Sequence, residues 1–157
     1  LQREVLRNRI FAGETVMAIS FGSENGLPTS EMSPAEYAPT SQQLLQWAQW
    51  GQYYETSGAS GEPIDMEGPK RLMELYGEWR GAESTEARRL IWNEILEIYA
   101  EGVYTIGLVA GTLQPIVVND RMHNVPEEGI FNWDPGAQFG MYQPETFFFT
   151  DGVDGKP

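Results

Sequence analysis

The sequence predicts an α/β fold, a mixed sheet flanked by helices, from two observations. The run TVMAISF at residues 15 to 21 has the length and the β-branched, apolar composition of a strand covered on both faces. Further extended runs, VYTIGLVAG and PIVVN, fall within residues 103 to 119, and two helical patterns separate them from the first run. Strand material divided by helices favours an α/β arrangement over a meander.

Residues 1 to 12 are predicted to form a helix, which Gly13 ends in the left-handed conformation. The apolar face of this helix consists of Leu1, Val5, Leu6 and Ile10. The chain opens inside the helical pattern, so we expect a fragment of a longer protein. After the first strand, Gly22 to Thr40 are rich in Gly, Pro, Ser and Thr and predict a loop of about 19 residues, a length more often functional than idle.

The middle of the chain predicts helices separated by short connections. Residues 44 to 54, LLQWAQWGQYY, form either a short helix capped near Ser41 or an irregular packed segment, and TSGASGE after them is a flexible surface connection. Asp65 is the predicted N-cap of a helix that runs to about Trp79 and is closed by Gly81. Its apolar residues at helical spacing are Leu72, Leu75, Tyr76 and Trp79.

The clearest helical pattern begins at Ser84 and ends at Gly102. The expected buried stripe is Ile91, Ile95 and Ile98, flanked by Trp92, Leu96 and Tyr99. Another face carries Glu94, Glu97 and Glu101. Such a row could bind a cation, but we interpret it as a solvated helix face.

Composition excludes several classes of function. A formal charge of -13 and a pI near 4.3 argue against nucleic acid, which requires a basic surface. No apolar run approaches the roughly 18 to 20 residues that span a bilayer, so no direct membrane insertion is expected. The chain has no cysteine, which excludes disulfides, thiolate metal sites and cysteine nucleophiles.

Catalysis is not expected. His123 is the one histidine, it lies in a polar connection, and no G-x-S-x-G, phosphate-binding or metal-binding motif accompanies it. We interpret His123 as an ordinary surface or packed residue, and we predict no catalytic residue, metal or cofactor. The alternative is a carboxylate-based hydrolase. Its candidate acids by composition are Glu24, Asp65, Glu128 and Asp134, and nothing in their spacing selects a pair.

Aromatic residues are frequent outside the clearest helices. They either stack on sugars, bases or peptide side chains, or they fill the core, and core packing is the expected role for most of them. The residues concerned are Trp47, Trp50, Tyr53, Tyr54, Phe131, Trp133, Phe139 and Tyr142.

One stretch connects the chain to a known family. FGSENGLP, residues 21 to 28, is similar to a W-x-x-D-x-x-[DE]-P motif, with Phe21 at the Trp position, Glu24 at the Asp position and Pro28 unchanged. Leu27 departs from the usual acid. EARRLIWNEILEIYAEGVYTIGLV and VNDRMHNVPEEGIFNWDPG resemble later segments of the same family. Across nearly all 157 residues the chain resembles the C-terminal part of the ABC-transporter substrate-binding proteins of the dipeptide, oligopeptide and nickel family, solute-binding family 5.

This resemblance implies a fragment of the periplasmic-binding-protein-like fold, class II, large cluster. Residues 1–104 would belong to the second lobe, 105–111 to an inter-lobe crossover and 112–150 to a return segment of the first lobe, with a flexible tail at 151–157. The implied location is the periplasm, with the signal segment in a preceding part of the chain. The implied partner is the membrane permease of an ABC transporter.

The resemblance also implies a function, capture of a peptide-like ligand between two lobes. In peptide binders of the family, the acid at the position of Glu24 accepts the ligand's N-terminal ammonium, and Phe21, Ser23 and Asn25 would line the same wall. Glu24 is alternatively a solvated residue before an Asn-Gly turn. Trp50, with Trp47, would stack on pyranose rings in an oligosaccharide-binding member, whereas metal capture is disfavoured by the single His. An interaction module with aromatic docking loops is the remaining alternative.

Overall fold

The structure is a computed structural model of the chain. It describes residues 2–20, 22, 29–109, 112, 113, 115–129 and 142–150. The described residues group into two compact units, one drawn from Leu1–Ser20 and Thr29–Ile106 and the other from Phe21–Pro28 and Gly107–Pro157.

The first unit is helical. Its α-helices are α1 (Arg3–Phe11), α2 (Ala48–Glu55), α3 (Glu67–Gly81) and α4 (Thr85–Gly102), and 3₁₀ helices cover Pro34–Tyr37 and Gln42–Leu44. The predicted caps are partly confirmed. Ser84 Oγ accepts a hydrogen bond from the Ala87 amide at 3.2 Å and caps α4, whereas the N-cap of α3 is Met66 and not Asp65.

Helices α3 and α4 enclose the core of this unit. Leu72 and Leu75 are fully buried, as the spacing predicts, and they pack with Trp92 and Ile95. The stripe on α4 is centred one residue away from the prediction. Trp92 is buried and Ile91 and Ile98 are half-buried, since the Trp92 ring belongs to the core cluster and also meets the Tyr37 ring edge-on at 5.0 Å.

The described part of the predicted loop, from Thr29 to Thr40, is a wall of this core. Pro34, Ala38 and Pro39 are buried there. Two indole N–H groups donate to backbone carbonyls of the same segment, Trp79 to Ser30 at 2.9 Å and Trp92 to Met32 at 3.0 Å. These bonds satisfy indole donors that would otherwise be buried unpaired, so they fix the segment on the helices.

Helix α4 ends at Gly102 as predicted, but the residues that follow α1 and α4 in the left-handed conformation are of different types. Gly13 has the expected positive φ of 72° after α1. At the end of α4 the left-handed residue is Val103, with φ 47°, and Gly102 remains helical. Gly102 serves close packing instead, since a Cβ there would lie 2.4 Å from the Tyr104 ring.

The second unit contains the two strands of the described residues. Strand β1 (Met122–His123) pairs antiparallel with β2 (Phe148–Phe149), in the register Met122 to Phe149 and His123 to Phe148. The His123 ring stacks on Phe148 at 5.3 Å, and its Nε2 lies 2.9 Å from Thr150 Oγ1. These contacts give His123 a structural role between the strands.

The strands predicted at 15–21 and in 103–118 are not formed by the described residues of those ranges. Their apolar side chains are exposed, Val16 and Val117 almost completely. A strand requires the backbone of a neighbouring strand, and no other described segment pairs with these residues. The described residues are therefore mostly helical with one small sheet, and the mixed sheet of a periplasmic-binding-protein-like fold stays a prediction.

No helix in the described part of the chain combines the length and the apolar character that crossing a bilayer requires.

Candidate functional site

The predicted ligand-binding residues divide between two parts of the sequence. Phe21, Ser23, Glu24 and Asn25 lie outside the described residues, so their roles stay predictions. Trp50, the remaining one, lies on α2 and lines an open groove. The groove has a volume of about 420 Å³. Its lining residues are Trp50, Tyr53, Tyr54, Ser57, Gly58, Ile64 and Met73.

Trp47 and Trp50, which the sequence groups together, have different surroundings. The Trp47 ring packs against the core and meets the Tyr104 ring edge-on at 5.3 Å. Trp50 stacks on Trp47 at 5.9 Å and stays half-buried at the groove wall. Trp47 is therefore a core residue, and Trp50 is the one of the two that a ligand in this groove would contact.

Helix periodicity brings the three aromatic rings of the groove together. Residues three and four apart share a helix face, so Tyr53 and Tyr54 follow Trp50 on the same side of α2. Both tyrosines are partly exposed, Tyr53 by 37% and Tyr54 by 43%. Neither tyrosine was predicted to contact a ligand, although their i, i+3 and i, i+4 spacing from Trp50 is a sequence signal that places them on the same helix face.

The segment after α2 is at the surface, as predicted, and its residues Ser57 and Gly58 line the groove. Thr56 Oγ1 accepts from the Ser60 amide at 3.0 Å and lies 2.8 Å from the Gln52 carbonyl oxygen. Gly61 has φ 86°, and a Cβ there would lie 2.3 Å from the Gln49 carbonyl oxygen. The glycine permits both this backbone conformation and the close return of the segment to α2.

All lining residues of the groove except Met73 lie in a part of the sequence without basic residues. From Ile10 to Pro69 there is no Lys, Arg or His. The Glu55 carboxylate is not part of the groove lining. It accepts hydrogen bonds from Ser41 Oγ at 2.5 Å and from the Gln42 amide at 3.1 Å. Glu62 and Asp65, which flank the groove residue Ile64, have no side-chain hydrogen bond or ion pair with another described residue.

One residue of the predicted carboxylate row on α4, Glu94, forms an ion pair with Arg71 on α3. Glu94 receives two hydrogen bonds from Arg71, at 2.7 and 3.1 Å, and these lower the pKa of its carboxyl group. Arg71 also contacts Glu74 and Glu78, and the three carboxylates raise the pKa of its guanidinium. Within the described ranges no group of three His, Asp or Glu side chains is arranged to hold a metal ion.

Comparison with known proteins yields no match to a family model, a curated protein or a solved structure.

Proposed function

We propose that this chain is part of the solute-binding component of an ABC uptake transporter. The component captures a peptide-like ligand between two lobes in the periplasm and delivers it to the membrane permease. The observation that carries the proposal is a contrast in burial. The helical core is closed, whereas the apolar runs on either side of it in the sequence are exposed.

The exposed runs have the composition of central strands. Val16, Met17 and Ile19 belong to one of them, and Ile106, Leu108 and Val109 to the other. Soluble proteins seldom leave contiguous apolar segments exposed, and strands with unpaired backbone groups invite pairing. Such runs are expected where strands of a larger sheet are completed by another part of a two-lobed binding protein.

Both runs lie beside the segments to which the resemblance gives a role. The first run leads directly into FGSENGLP at residues 21 to 28, with Glu24 as the proposed acceptor of a ligand ammonium. The second contains the proposed crossover at residues 105–111. The proposal therefore puts a ligand wall directly after one exposed apolar run and an inter-lobe connection within the other.

The proposed role of Glu24 is physically consistent. A carboxylate or an ammonium alone in a closed cleft has a large desolvation cost, whereas a hydrogen-bonded pair compensates both charges. Closure of two lobes by hinge motion then requires contacts that exist only in the closed form. Such a component binds and releases its ligand without chemical change.

Native mass spectrometry tests this function on the natural protein that contains these residues, purified without added ligand. We expect a bound mass, absent after denaturation, that fragments into amino-acid residues. Hexose increments would favour the oligosaccharide-binding alternative and Trp50. Turnover of model glycosides would favour a hydrolase, and a protein without bound mass would favour the interaction module.

The Glu24→Gln variant tests the ammonium contact in the same experiment. Removing one partner of a buried charge pair costs about 2–5 kcal/mol, so affinity should fall roughly 30-fold or more and the peptide mass should be lost. Glu62→Gln is the matched control and should retain it, because Glu62 lies in the helical unit outside the proposed wall. Equal peptide occupancy in both variants would contradict the role of Glu24.

A further inference from the structure

The aromatic groove on α2 has a chemistry of its own, which does not depend on the proposed function. We propose that the groove formed by Trp50, Tyr53 and Tyr54 binds a small quaternary ammonium cation without an anionic group, of the choline type. Three aromatic rings, an acidic surrounding and a shortage of hydrogen-bonding groups lead to this ligand class.

The rings supply the attraction. An aromatic face carries a partial negative charge, and a cation within about 6 Å of the ring centre is attracted to it, most strongly by Trp. Trp50 lines the groove while Trp47 stacks on its ring at 5.9 Å, so one face of the Trp50 ring is taken by Trp47 and a ligand has to approach the remainder of the ring. Tyr53 and Tyr54 add two partly exposed rings to the same concavity.

The polar groups of the lining select against other ligands. The side-chain ones are the hydroxyls of Tyr53, Tyr54 and Ser57 and the indole N–H of Trp50, and the lining has no amide, carboxylate or basic side chain. A bound pyranose would have hydroxyls without hydrogen-bond partners. A primary ammonium would lose its hydrogen bonds to water and find few acceptors in the groove. A quaternary ammonium has no N–H to satisfy, so its methyl groups are buried at low cost.

The surrounding charge selects the sign of the ligand. The basic side chains nearest in sequence to the lining residue Met73 are already paired, Lys70 with Glu67 at 2.8 Å and Arg71 with Glu74 at 3.0 Å. Glu62 and Asp65, on either side of Ile64, have no cationic partner among the described residues. The net charge of -13 attracts cations further, and it opposes the phosphate of phosphocholine and the carboxylate of betaine.

Isothermal titration of the natural protein that contains these residues tests the proposal, with choline as the probe. We expect saturable binding with a Kd on the order of 1 mM or tighter. The uncharged isostere of choline, with carbon in place of nitrogen, should bind at least about tenfold more weakly, and so should betaine. Equal binding of choline and its isostere would overturn the proposal, because the groove would then be a site for any apolar molecule.

Variants at Tyr54 locate the site. Tyr54 is 43% exposed, so its replacement leaves the core intact. Tyr54→Leu should weaken choline binding by about tenfold, whereas Tyr54→Phe, which keeps the ring and removes only the hydroxyl, should bind as the natural protein does. Equal affinity in the two variants would place choline elsewhere. Binding of maltose, or of phosphatidylcholine vesicles, in preference to choline would also contradict the proposed ligand class.

Discussion

Two apolar regions of this molecule differ in the burial of their side chains. In α3 and α4, Leu72, Leu75 and Ile95 are almost completely buried. In the runs at 15–20 and 103–118, Val16, Leu113 and Val117 are almost completely exposed. Apolar sequence alone therefore does not produce a core, because burial requires a complementary surface. The helices supply that surface to each other, and the predicted strands have no pairing partner among the described residues.

Truncation of a core leucine gives the largest expected effect. Leu72→Ala in the 157-residue chain should lower the free energy of unfolding by about 2–5 kcal/mol, since it removes buried methyl groups and leaves a cavity. Leu113→Ala is the matched control at a side chain that is 92% exposed, and it should change stability by less than about 0.5 kcal/mol. Urea denaturation measures both values. Similar losses would show that Leu113 is buried in solution.

Close backbone packing gives the next effect. Gly51 on α2 approaches the segment at Ser41, where a Cβ would lie 2.3 Å from a backbone carbonyl. Gly51→Ala should therefore destabilise the chain by about 1–3 kcal/mol. Gly77 on α3 has open space around it, so Gly77→Ala should stabilise by about 0.5–1 kcal/mol. Thermal unfolding monitored by circular dichroism separates the two, and a stabilising Gly51→Ala would contradict this packing.

The ion pair between α3 and α4 gives the smallest effect, and it depends on pH. The pKa of Glu94 is lowered by Arg71, so the stability it contributes is present above the unfolded value, near 4.5, and is lost as the pH falls through the folded value. Solvent screens this half-exposed pair, so its contribution should be less than about 1 kcal/mol. Unfolding free energies measured across this pH range should show a shallower acid loss in Glu94→Gln. Glu97→Gln, which is on the same helix, should keep the natural profile.

The buried helical region could be predicted from the sequence. Helices α3 and α4 were predicted because their apolar residues recur at helical spacing and Ser84 marks a start. The burial of Ala38 and Pro39 was not predicted, since a Pro- and Ser-rich segment has no periodicity and is positioned by the indole donors of distant tryptophans. The positive φ of Val103 was not predicted either. Gly102 packs closely against the Tyr104 ring and stays helical, so the left-handed conformation falls on the next residue.

The candidate site was also only partly predictable from the sequence. Trp50 was predicted as a ligand-contacting residue, and helix geometry explains why two tyrosines join it in the groove. Trp47 is a core residue because it packs against Tyr104, which is distant in the sequence, and local sequence does not reveal such a contact. The Glu24 segment depends on the family resemblance, and its role stays a prediction.

Amide hydrogen exchange on the natural protein that contains these residues tests whether the exposed apolar runs are strands completed by the rest of a binding protein. If they are, amides at 15–20 and 105–109 should exchange as slowly as those of α3 and α4, because the rest of the binding protein completes their sheet. Removal of the bound ligand should accelerate exchange at 21–28 and leave exchange in the core around Leu72 and Ile95 unchanged. Fast exchange in both apolar runs, with no response to ligand removal at 21–28, would contradict this interpretation.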